Sequence, residues 1–306
     1  MTHLHALLAQ MTLDEKIGQL VQLSGEFFLD EPQLTVGPKT RLGITQEVVS
    51  NVGSVLNVSG AAKTREIQRQ HLENSRLKIP LLFMADVIYG YRTIFPIPLA
   101  LGCTWEPSQI RQCCVVAAKE AASAGSHVTF APMADLVRDA RWGRCMESTG
   151  EDVFLNTQYV RASVEGFQQN LATHQGLAAC VKHFVGYGAP VGGRDYNTVE
   201  LSHQSLFDDY FPPFLAAIEA GCEMVMTSFN TVDGIPVTAN PWLLKTLLRE
   251  RWHFQGITIA DYAAVKELIP HGVAADEQEA CALAFNAGLD IDMKTACYAN
   301  GLKPLL

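Results

Sequence analysis

Charged side chains stand where several short apolar runs of this sequence end. Asp86, Asp135 and Asp261 each follow such a run, and Lys182 and His183 end another. A single aspartate at such a point is more often the cap of the following helix. Four runs that end this way are harder to explain as caps. If the runs are neighbouring strands of one sheet, these side chains converge on one rim.

Carboxylates and cations on one rim suit a ligand rich in hydroxyl groups, such as a sugar. Each hydroxyl can donate to a carboxylate and accept from Lys or Arg. The chemistry that this supports is glycoside hydrolysis, in which a carboxylate attacks the anomeric carbon and a carboxylic acid protonates the leaving oxygen. In retaining enzymes the two groups lie about 5–5.5 Å apart. The nucleophile must stay ionised, and Lys182, Arg144 and Arg194 are the cations that would favour its charged form.

The elements that must position these residues alternate along the chain. Short β-rich apolar runs occur at 53–56, 81–84, 127–130, 179–182, 224–226, 256–259 and 289–291, and helical stretches lie between them. Strands that are apolar at nearly every position indicate a parallel sheet covered on both faces. Seven such strands, with residues 19–23 as an eighth, favour a closed α/β barrel of the (β/α)8 TIM type. The sequence contains neither a G-x-G-x-x-G motif nor a P-loop, which would have supported an open doubly wound sheet.

The region before the barrel carries its own signals. Thr12 and Glu15 form a predicted capping box at the start of a helix, and the stretch 31–43 predicts an irregular loop because it is rich in Pro, Gly and Thr. We therefore expect residues 1–50 to lead into the barrel. The 306 residues, 48% of them hydrophobic, suffice for one barrel with such an extension.

Charge and cysteine content exclude some classes of protein. The net charge of −9, from 32 acidic and 23 basic residues, argues against a surface for nucleic acid or an anionic membrane. The eight cysteines include no C-x-x-C pair, which favours reduced thiols and a cytoplasmic location. The N-terminus lacks the pattern of a signal peptide, and no run approaches the length of a membrane span.

Ordered motifs along nearly the whole chain resemble glycoside hydrolase family 3, in particular its bacterial β-glucosidase branch, which includes enzymes that act on β-1,2-linked gluco-oligosaccharides. The similarity is carried by the opening at 11–20, the long motif at 131–152, the Lys-His element at 182–188, the segment 228–236 and the approach to Asp261 at 254–261. The resemblance implies that the chain, 1–306, is the N-terminal catalytic barrel of a retaining enzyme.

The resemblance also implies roles for individual residues. Asp261 matches the nucleophile. The positions that hold the hydroxyls of the terminal glucose are matched by Asp86, Arg144, Lys182, His183 and Arg194. Tyr262 stands where the family usually has Trp or His and would form a wall for the sugar ring. Phe229 stands where many relatives have Tyr, so that one hydroxyl near the nucleophile is missing.

The general acid is not evident in the sequence. In two-domain members a Glu from a second α/β domain supplies it, and the resemblance places that domain and the last barrel helix beyond Leu306, which would leave the barrel incomplete at its C-terminal end. The single-domain N-acetylglucosaminidases use an Asp-x-His dyad instead, whereas Asp195 and His203 stand eight apart. We expect Glu147 and Glu151 to orient or pack, and Asp290 and Asp292 to cap or line the pocket.

The sequence therefore predicts a β-glucosidase domain that hydrolyses terminal β-D-glucosyl residues and is weak alone, unless a C-terminal domain or partner chain supplies the acid. Alternatives are a non-catalytic carbohydrate-binding barrel and a single-domain β-N-acetylglucosaminidase. A metal hydrolase built on His127, His183 and His203 lacks an H-x-H or H-E-x-x-H motif. A phosphate-binding barrel lacks a Gly-rich loop after the late strands. We expect no metal and no cofactor.

Overall fold

A computed structural model describes residues 3–28 and 42–305 of the chain. Eight parallel strands form one row, in the order β8-β1-β2-β3-β4-β5-β6-β7. They are β1 (Val21–Ser24), β2 (Ser54–Leu56), β3 (Leu82–Ala85), β4 (Val128–Thr129), β5 (Ala178–Phe184), β6 (Met224–Thr227), β7 (Ile257–Ile259) and β8 (Asp292–Met293). A parallel bridge between Ile259 and Ile291 joins the two ends of the row. The predicted (β/α)8 barrel is thereby confirmed. The strand expected at 19–23 forms at Val21–Ser24, and the one expected at 289–291 forms at Asp292–Met293.

Helices surround the strands. The α-helices are His3–Gln10, Leu13–Gln19, Gln46–Asn51, Ala61–Asn74, Pro98–Gly102, Pro107–Ser123, Val153–Gln168, His203–Ser205, Pro212–Glu219, Glu277–Ala287 and Cys297–Leu305. Leu206–Tyr210 and Trp242–Arg251 are π-helical, and a small antiparallel hairpin pairs Thr231–Val232 with Ile235–Pro236. Every residue of β1, β2 and β6 is buried, because helices cover the sheet. None of the described helices is both long and apolar enough to cross a membrane.

A helix follows the last strand, where the resemblance led us to expect the chain to stop short of one. Cys297–Leu305 packs against Glu277–Ala287 and against Leu13–Gln19. Asp292 holds its start, since one carboxylate oxygen accepts from the Tyr298 N–H at 3.1 Å and the other from the Thr295 hydroxyl at 2.6 Å. The capping role expected for Asp292 is the one that the structure gives it.

A buried ion pair lies across the seam where β8 meets β1. The Lys294 ammonium, just after β8, donates to the Glu26 carboxylate and to the Ser24 hydroxyl at the end of β1. The Lys294 side chain is almost fully buried. A buried ammonium needs such partners, because an unpaired charge in the interior is costly. This pair therefore fastens the last strand to the first.

The helix Leu13–Gln19 forms as its sequence predicts. The Thr12 hydroxyl accepts from the Glu15 N–H at 3.2 Å, while the Glu15 carboxylate accepts from the Thr12 N–H at 2.8 Å, so both halves of the capping box are present. Gly18 near its end lies against the helix Gln46–Asn51. Most of the predicted loop 31–43 lies outside the described residues.

We expect Gly18→Ala to destabilise the barrel. A Cβ at this position would lie 2.2 Å from the Asn51 carbonyl oxygen, and that backbone cannot swing away like a side chain. The overlap outweighs alanine's better helix propensity, so the free energy of unfolding should fall by about 2 kcal/mol in chemical denaturation. Gly143→Ala is the matched control, since its Cβ would meet no atom within 4 Å. An unchanged midpoint for Gly18→Ala would contradict the close approach of the two helices.

Candidate active site

Asp261 lies two residues after β7, at the carboxyl end of the barrel strands, where the βα loops begin. Its side chain is 13% exposed. The Tyr262 N–H donates to Oδ1 at 2.6 Å, which fixes one carboxylate oxygen. Oδ2 lies 3.4 Å from His183 Nε2 and has no hydrogen-bond partner among the described residues. One oxygen is held and the other is available for chemistry.

His183 is held by two neighbours that set its protonation. Its Nδ1 lies 2.8 Å from Asp135 Oδ2, which also accepts from the His183 backbone N–H at 2.9 Å. Arg144 Nη2 lies 3.2 Å from Nε2. Because a guanidinium can only donate, we assign the proton to Nδ1 and the lone pair to Nε2. Burial, with the nearby Arg144 and Lys182 charges, holds the pKa of His183 well below its usual value, so the ring is neutral.

Lys182 and Asp86 bring the ends of β5 and β3 together. The Lys182 ammonium donates to Asp86 Oδ1 at 2.5 Å. The lysine side chain is only 4% exposed, whereas that of Asp86 is 50% exposed. The buried cation is thus fixed by its partner, and the carboxylate presents its remaining oxygen to the open side of the barrel.

Arg144 is oriented by Glu147. Its Nε and Nη2 donate to the two oxygens of Glu147 at 2.8 and 2.9 Å, and this two-point geometry fixes the plane of the guanidinium. Its other face lies over the Tyr187 ring, 5.5 Å from the centroid. Glu147 therefore has the orienting role expected of it.

Aromatic rings continue the site from His183 outward. Tyr187 packs edge-on against His183, with ring centroids 5.1 Å apart, and Phe229 lies 5.8 Å from Tyr187. Tyr196 lies on Phe229 at 4.4 Å. Tyr262, predicted as a wall, has a side that faces solvent and is 36% exposed. Phe229 is buried, so it shapes the site from beneath.

Of the predicted site residues, Asp86, Arg144, Lys182, His183 and Asp261 form this cluster. Arg194 is exposed on the following loop, and no hydrogen bond or ion pair joins it to the cluster in the described part of the chain. Asp195 and His203 make no dyad either, since Asp195 accepts from the Trp142 indole at 2.9 Å and His203 pairs with Asp233 at 3.3 Å.

Asp135 was expected at this rim from its place after a strand, whereas Tyr187 and Tyr196 lie beside the site but were not among the predicted residues. The two tyrosines carry no such local signal, because only the fold brings their rings to His183 and Phe229.

Burial governs the charge of the two central acids. It raises the pKa of Asp261 to about 6, against the opposing effects of Lys182, the Tyr262 N–H and Arg144. It raises the pKa of Asp135 to about 7, although the His183 N–H lowers it. Asp261 is therefore half ionised near pH 6 and mostly charged at neutral pH, and Lys182 and Arg144 favour that charge.

The remaining carboxylates predicted near the site are engaged elsewhere. Glu147 holds Arg144, Asp290 pairs with Arg249 at 2.6 Å, and Asp292 caps a helix. Glu151 is exposed. Among residues 3–28 and 42–305, no group of three or more His, Cys, Asp or Glu side chains is placed to hold a metal ion. Asp86 is a carboxylate close enough to raise the pKa of Asp261, and it is paired with Lys182.

Comparison with known proteins gives one family. The model of the glycosyl hydrolase family 3 N-terminal domain matches residues 12–306. A periplasmic β-glucosidase of Salmonella typhimurium is 42% identical over 303 residues, which cover 98% of this chain and 38% of that protein. A putative β-xylosidase of Formosa agariphila is 34% identical over 306 residues, which cover 94% of this chain and 40% of that protein.

Solved structures agree with these sequence relatives. The β-glucosidase of Listeria innocua in complex with isofagomine superposes with a TM-score of 0.94 at 48% identity, covering 100% of this chain and 43% of that one. The chain thus spans about two fifths of the length of these relatives.

We expect Asp261→Asn to stabilise the protein at neutral pH. The pKa of Asp261 rises from 3.8 to about 6 on folding. The folded state therefore disfavours the charged form, and the destabilisation is absent below pH 3.8, grows as the pH rises and is complete above about pH 6. Removing this charge should raise the variant's free energy of unfolding, relative to the wild type, by at most about 3 kcal/mol.

Urea denaturation at pH 7.5 and pH 4.5 measures the effect. The variant's advantage should be largest at pH 7.5 and shrink at pH 4.5. Asp208→Asn, at an exposed position, should show no such dependence. An advantage for Asp261→Asn that is equal at both pH values would contradict the raised pKa.

Proposed function

The chain belongs to glycosyl hydrolase family 3, and on that premise we propose that it carries the nucleophile and the glucose subsite of a retaining β-glucosidase. The observation that supports this most is Asp261 itself. One of its oxygens is fixed by the Tyr262 N–H, and the other is unbonded among Arg144, Lys182 and His183. This is the arrangement that a carboxylate nucleophile requires.

The proposed reaction begins with Asp261 in its charged form. Oδ2 attacks the anomeric carbon and bonds to it as the bond to the leaving oxygen breaks; that oxygen either takes a proton from a general acid or leaves as a stable anion. Lys182 and Arg144 stabilise the carboxylate before attack. Because His183 is neutral, it forms no ion pair with Oδ2 at 3.4 Å that would lower the nucleophilicity of this oxygen. Water then hydrolyses the glycosyl ester and regenerates Asp261.

The ion pairs around Asp261 would bind the sugar. The Asp86 carboxylate, half exposed, can accept from two hydroxyls, and the buried Lys182 ammonium beside it can donate to them. Arg144 offers its remaining N–H groups from a plane that Glu147 fixes. These contacts select a polyhydroxylated ring without specifying what lies beyond the leaving oxygen.

We propose that the general acid comes from outside residues 1–306, from a following domain or a partner chain. Glu147, Asp86 and Asp290 are each paired with a cation, and the relatives are more than twice as long as this chain. Loss of general acid assistance costs about 10²–10⁴-fold in rate. The chain alone would therefore cleave ordinary glucosides slowly.

The alternative of a single-domain N-acetylglucosaminidase has no support in the geometry, since Asp195 and His203 are bound to different partners. The predicted cytoplasmic location stays a prediction. All eight cysteines are free thiols, which is compatible with a reducing compartment, whereas the Salmonella relative is named periplasmic.

Trapping tests the nucleophile. We expect 2,4-dinitrophenyl 2-deoxy-2-fluoro-β-glucoside to label the chain once, at Asp261, because the fluorine slows hydrolysis of the glycosyl ester and the leaving group needs no proton. Intact mass and peptide mapping locate the adduct. Asp261→Asn should not be labelled, while Asp208→Asn should react like the wild type. A label on another residue, or none, would overturn the proposal.

The missing acid is tested by the leaving group. We expect kcat/KM for 2,4-dinitrophenyl β-glucoside, whose leaving group needs no proton, to exceed that for cellobiose or sophorose. The excess over the ratio expected with a general acid present should be about 10²–10⁴-fold, which is the usual rate contribution of that acid. Dinitrophenolate release and a glucose assay give the two values. Equal efficiency on both kinds of substrate would show that an acid is present in the chain.

A further inference from the structure

Asp135 follows a short stretch that extends the pairing of β4 with β5. Backbone bonds join this stretch to β5 in both directions, since the Lys182 N–H donates to the Pro132 carbonyl at 3.0 Å and the Ala134 N–H donates to the Lys182 carbonyl at 2.6 Å. The next donor along β5 is the His183 N–H, and it meets a side chain: Asp135 Oδ2 accepts from it at 2.9 Å. The carboxylate thus takes the place of a backbone acceptor in the ladder.

The same carboxylate oxygen also binds the imidazole ring of His183. Nδ1 lies 2.8 Å from Asp135 Oδ2, so two nitrogens of one residue converge on one oxygen. Both side chains are almost completely buried, and water does not compete for these contacts. The oxygen that receives the backbone N–H is an acceptor, so the ring nitrogen beside it is the one that carries a proton. The hydrogen bond at one ring nitrogen sets the tautomer, and Nε2 is left with its lone pair.

The other oxygen of Asp135 makes this arrangement independent of the acid's own charge. Oδ1 is buried and has no hydrogen-bond partner among the described residues. A proton that this acid takes up goes to Oδ1, because Oδ2 already receives two donors. Burial raises the pKa of Asp135 to about 7, so both forms of the acid are present near neutral pH. Either form offers the same oxygen to His183.

His183 Nε2, on the opposite side of the ring, faces two groups of the site. Asp261 Oδ2 lies 3.4 Å from it, and Arg144 Nη2 lies 3.2 Å from it. With a lone pair, Nε2 accepts from Arg144 and gives no donor to Oδ2, which indeed has no hydrogen-bond partner in the described structure. In the opposite tautomer an N–H would point at both groups. It would donate to the carboxylate, stabilise its charge and lower its nucleophilicity, and it would meet the Arg144 N–H as a second donor.

We propose that Asp135 is a positioning residue of the site: it holds His183 in the Nδ1–H tautomer, so that the ring faces Asp261 without a donor and Oδ2 stays free for the anomeric carbon. This inference rests on the proposed function, because it concerns the same nucleophile. Asp135 acts through His183. The same tautomer holds Arg144 from a second side, since its guanidinium lies between Glu147 and Nε2.

The tautomer is measured by heteronuclear NMR of the intact chain with nitrogen-labelled histidine, and the resonances missing from His183→Asn identify the ring. In the wild type we expect a protonated Nδ1 and an unprotonated Nε2, both below and above the Asp135 pKa of about 7. In Asp135→Ala, which has no acceptor, a substantial fraction of the rings should carry the proton on Nε2 instead. A protonated Nε2 in the wild type would contradict the inference outright.

The rate of labelling by 2,4-dinitrophenyl 2-deoxy-2-fluoro-β-glucoside connects the tautomer to the nucleophile. We expect Asp135→Ala to lower the maximum rate constant by about 10–100-fold, the usual cost of removing a group that orients a functional histidine. Asp135→Asn can place its amide oxygen where Oδ2 lies, because the His183 N–H requires an acceptor there. It should keep the tautomer and lose less of the rate than Asp135→Ala. Asp208→Ala, at an exposed position, is the control and should be labelled like the wild type.

The two measurements together separate this role from a structural one. A general loosening of the site would lower the melting temperature of Asp135→Ala and slow its labelling while Nε2 stays unprotonated, and that combination would overturn the inference. Labelling of Asp135→Ala at the wild-type rate would do the same. If Asp135→Ala does not fold, Asp135→Asn decides, because a slow variant with an unprotonated Nε2 breaks the link between tautomer and rate. Failure of the wild type to be labelled at Asp261 would instead overturn the proposed function, whereas the tautomer seen by NMR does not depend on it.

Discussion

The barrel buries the Asp261 carboxylate among cations, and the arrangement of the surrounding side chains follows from that burial. Burial raises the pKa of Asp261 to about 6, and the nearby cations oppose the rise. Each of those cations is itself buried or half-buried and needs a partner of its own. Asp86 pairs with Lys182, and Glu147 with Arg144. Asp261, the proposed nucleophile, therefore lies among ion pairs in which each neighbouring cation is balanced by a carboxylate further from it.

His183 shows how closely the set is balanced. It lies between Arg144 and Asp135, and its contact with the Arg144 guanidinium leaves Nε2 without a proton. A protonated ring would form an ion pair with Asp261 and lower its reactivity. The neutral ring instead separates Asp261 from Asp135, so that two buried acids can lie close to one histidine without sharing its charge. The neutral His183 thus leaves the charge of Asp261 unpaired at this contact, as the proposed role requires.

The sequence predicted those parts of the structure that depend on local pattern. Apolar runs identified the strands, and a polar residue at the end of a run identified Asp86, Lys182, His183 and Asp261, because a parallel barrel brings strand ends together. Arg194 followed the family pattern, yet the loop that carries it is held by Gly193 and Asp195 in a way that leaves its side chain exposed.

The parts that could not be predicted depend on packing between distant segments. Tyr187 packs against Trp142 and Phe229, which lie in other loops. Tyr196 is placed by a loop in which Asp195 bonds to Trp142, 53 residues earlier in the chain. The helix Cys297–Leu305 was missed for a different reason. The family pattern led us to expect the chain to stop before it, although its cap is local: Asp292 accepts from Thr295 and Tyr298 within six residues.

The ion pair between Lys294 and Glu26 has a consequence for how the barrel opens. In a ring of strands the junction between the last and the first is where fraying would begin, since no covalent connection crosses it. Here the junction carries parallel pairing, a helix packed against a helix, and a buried charge pair. Separating β1 from β8 would leave an ammonium and a carboxylate unpaired in the interior, so partial opening of the barrel costs free energy. Amide hydrogen exchange in β1 and β8 should thus be governed by global unfolding, and the ring should be lost as a single cooperative unit.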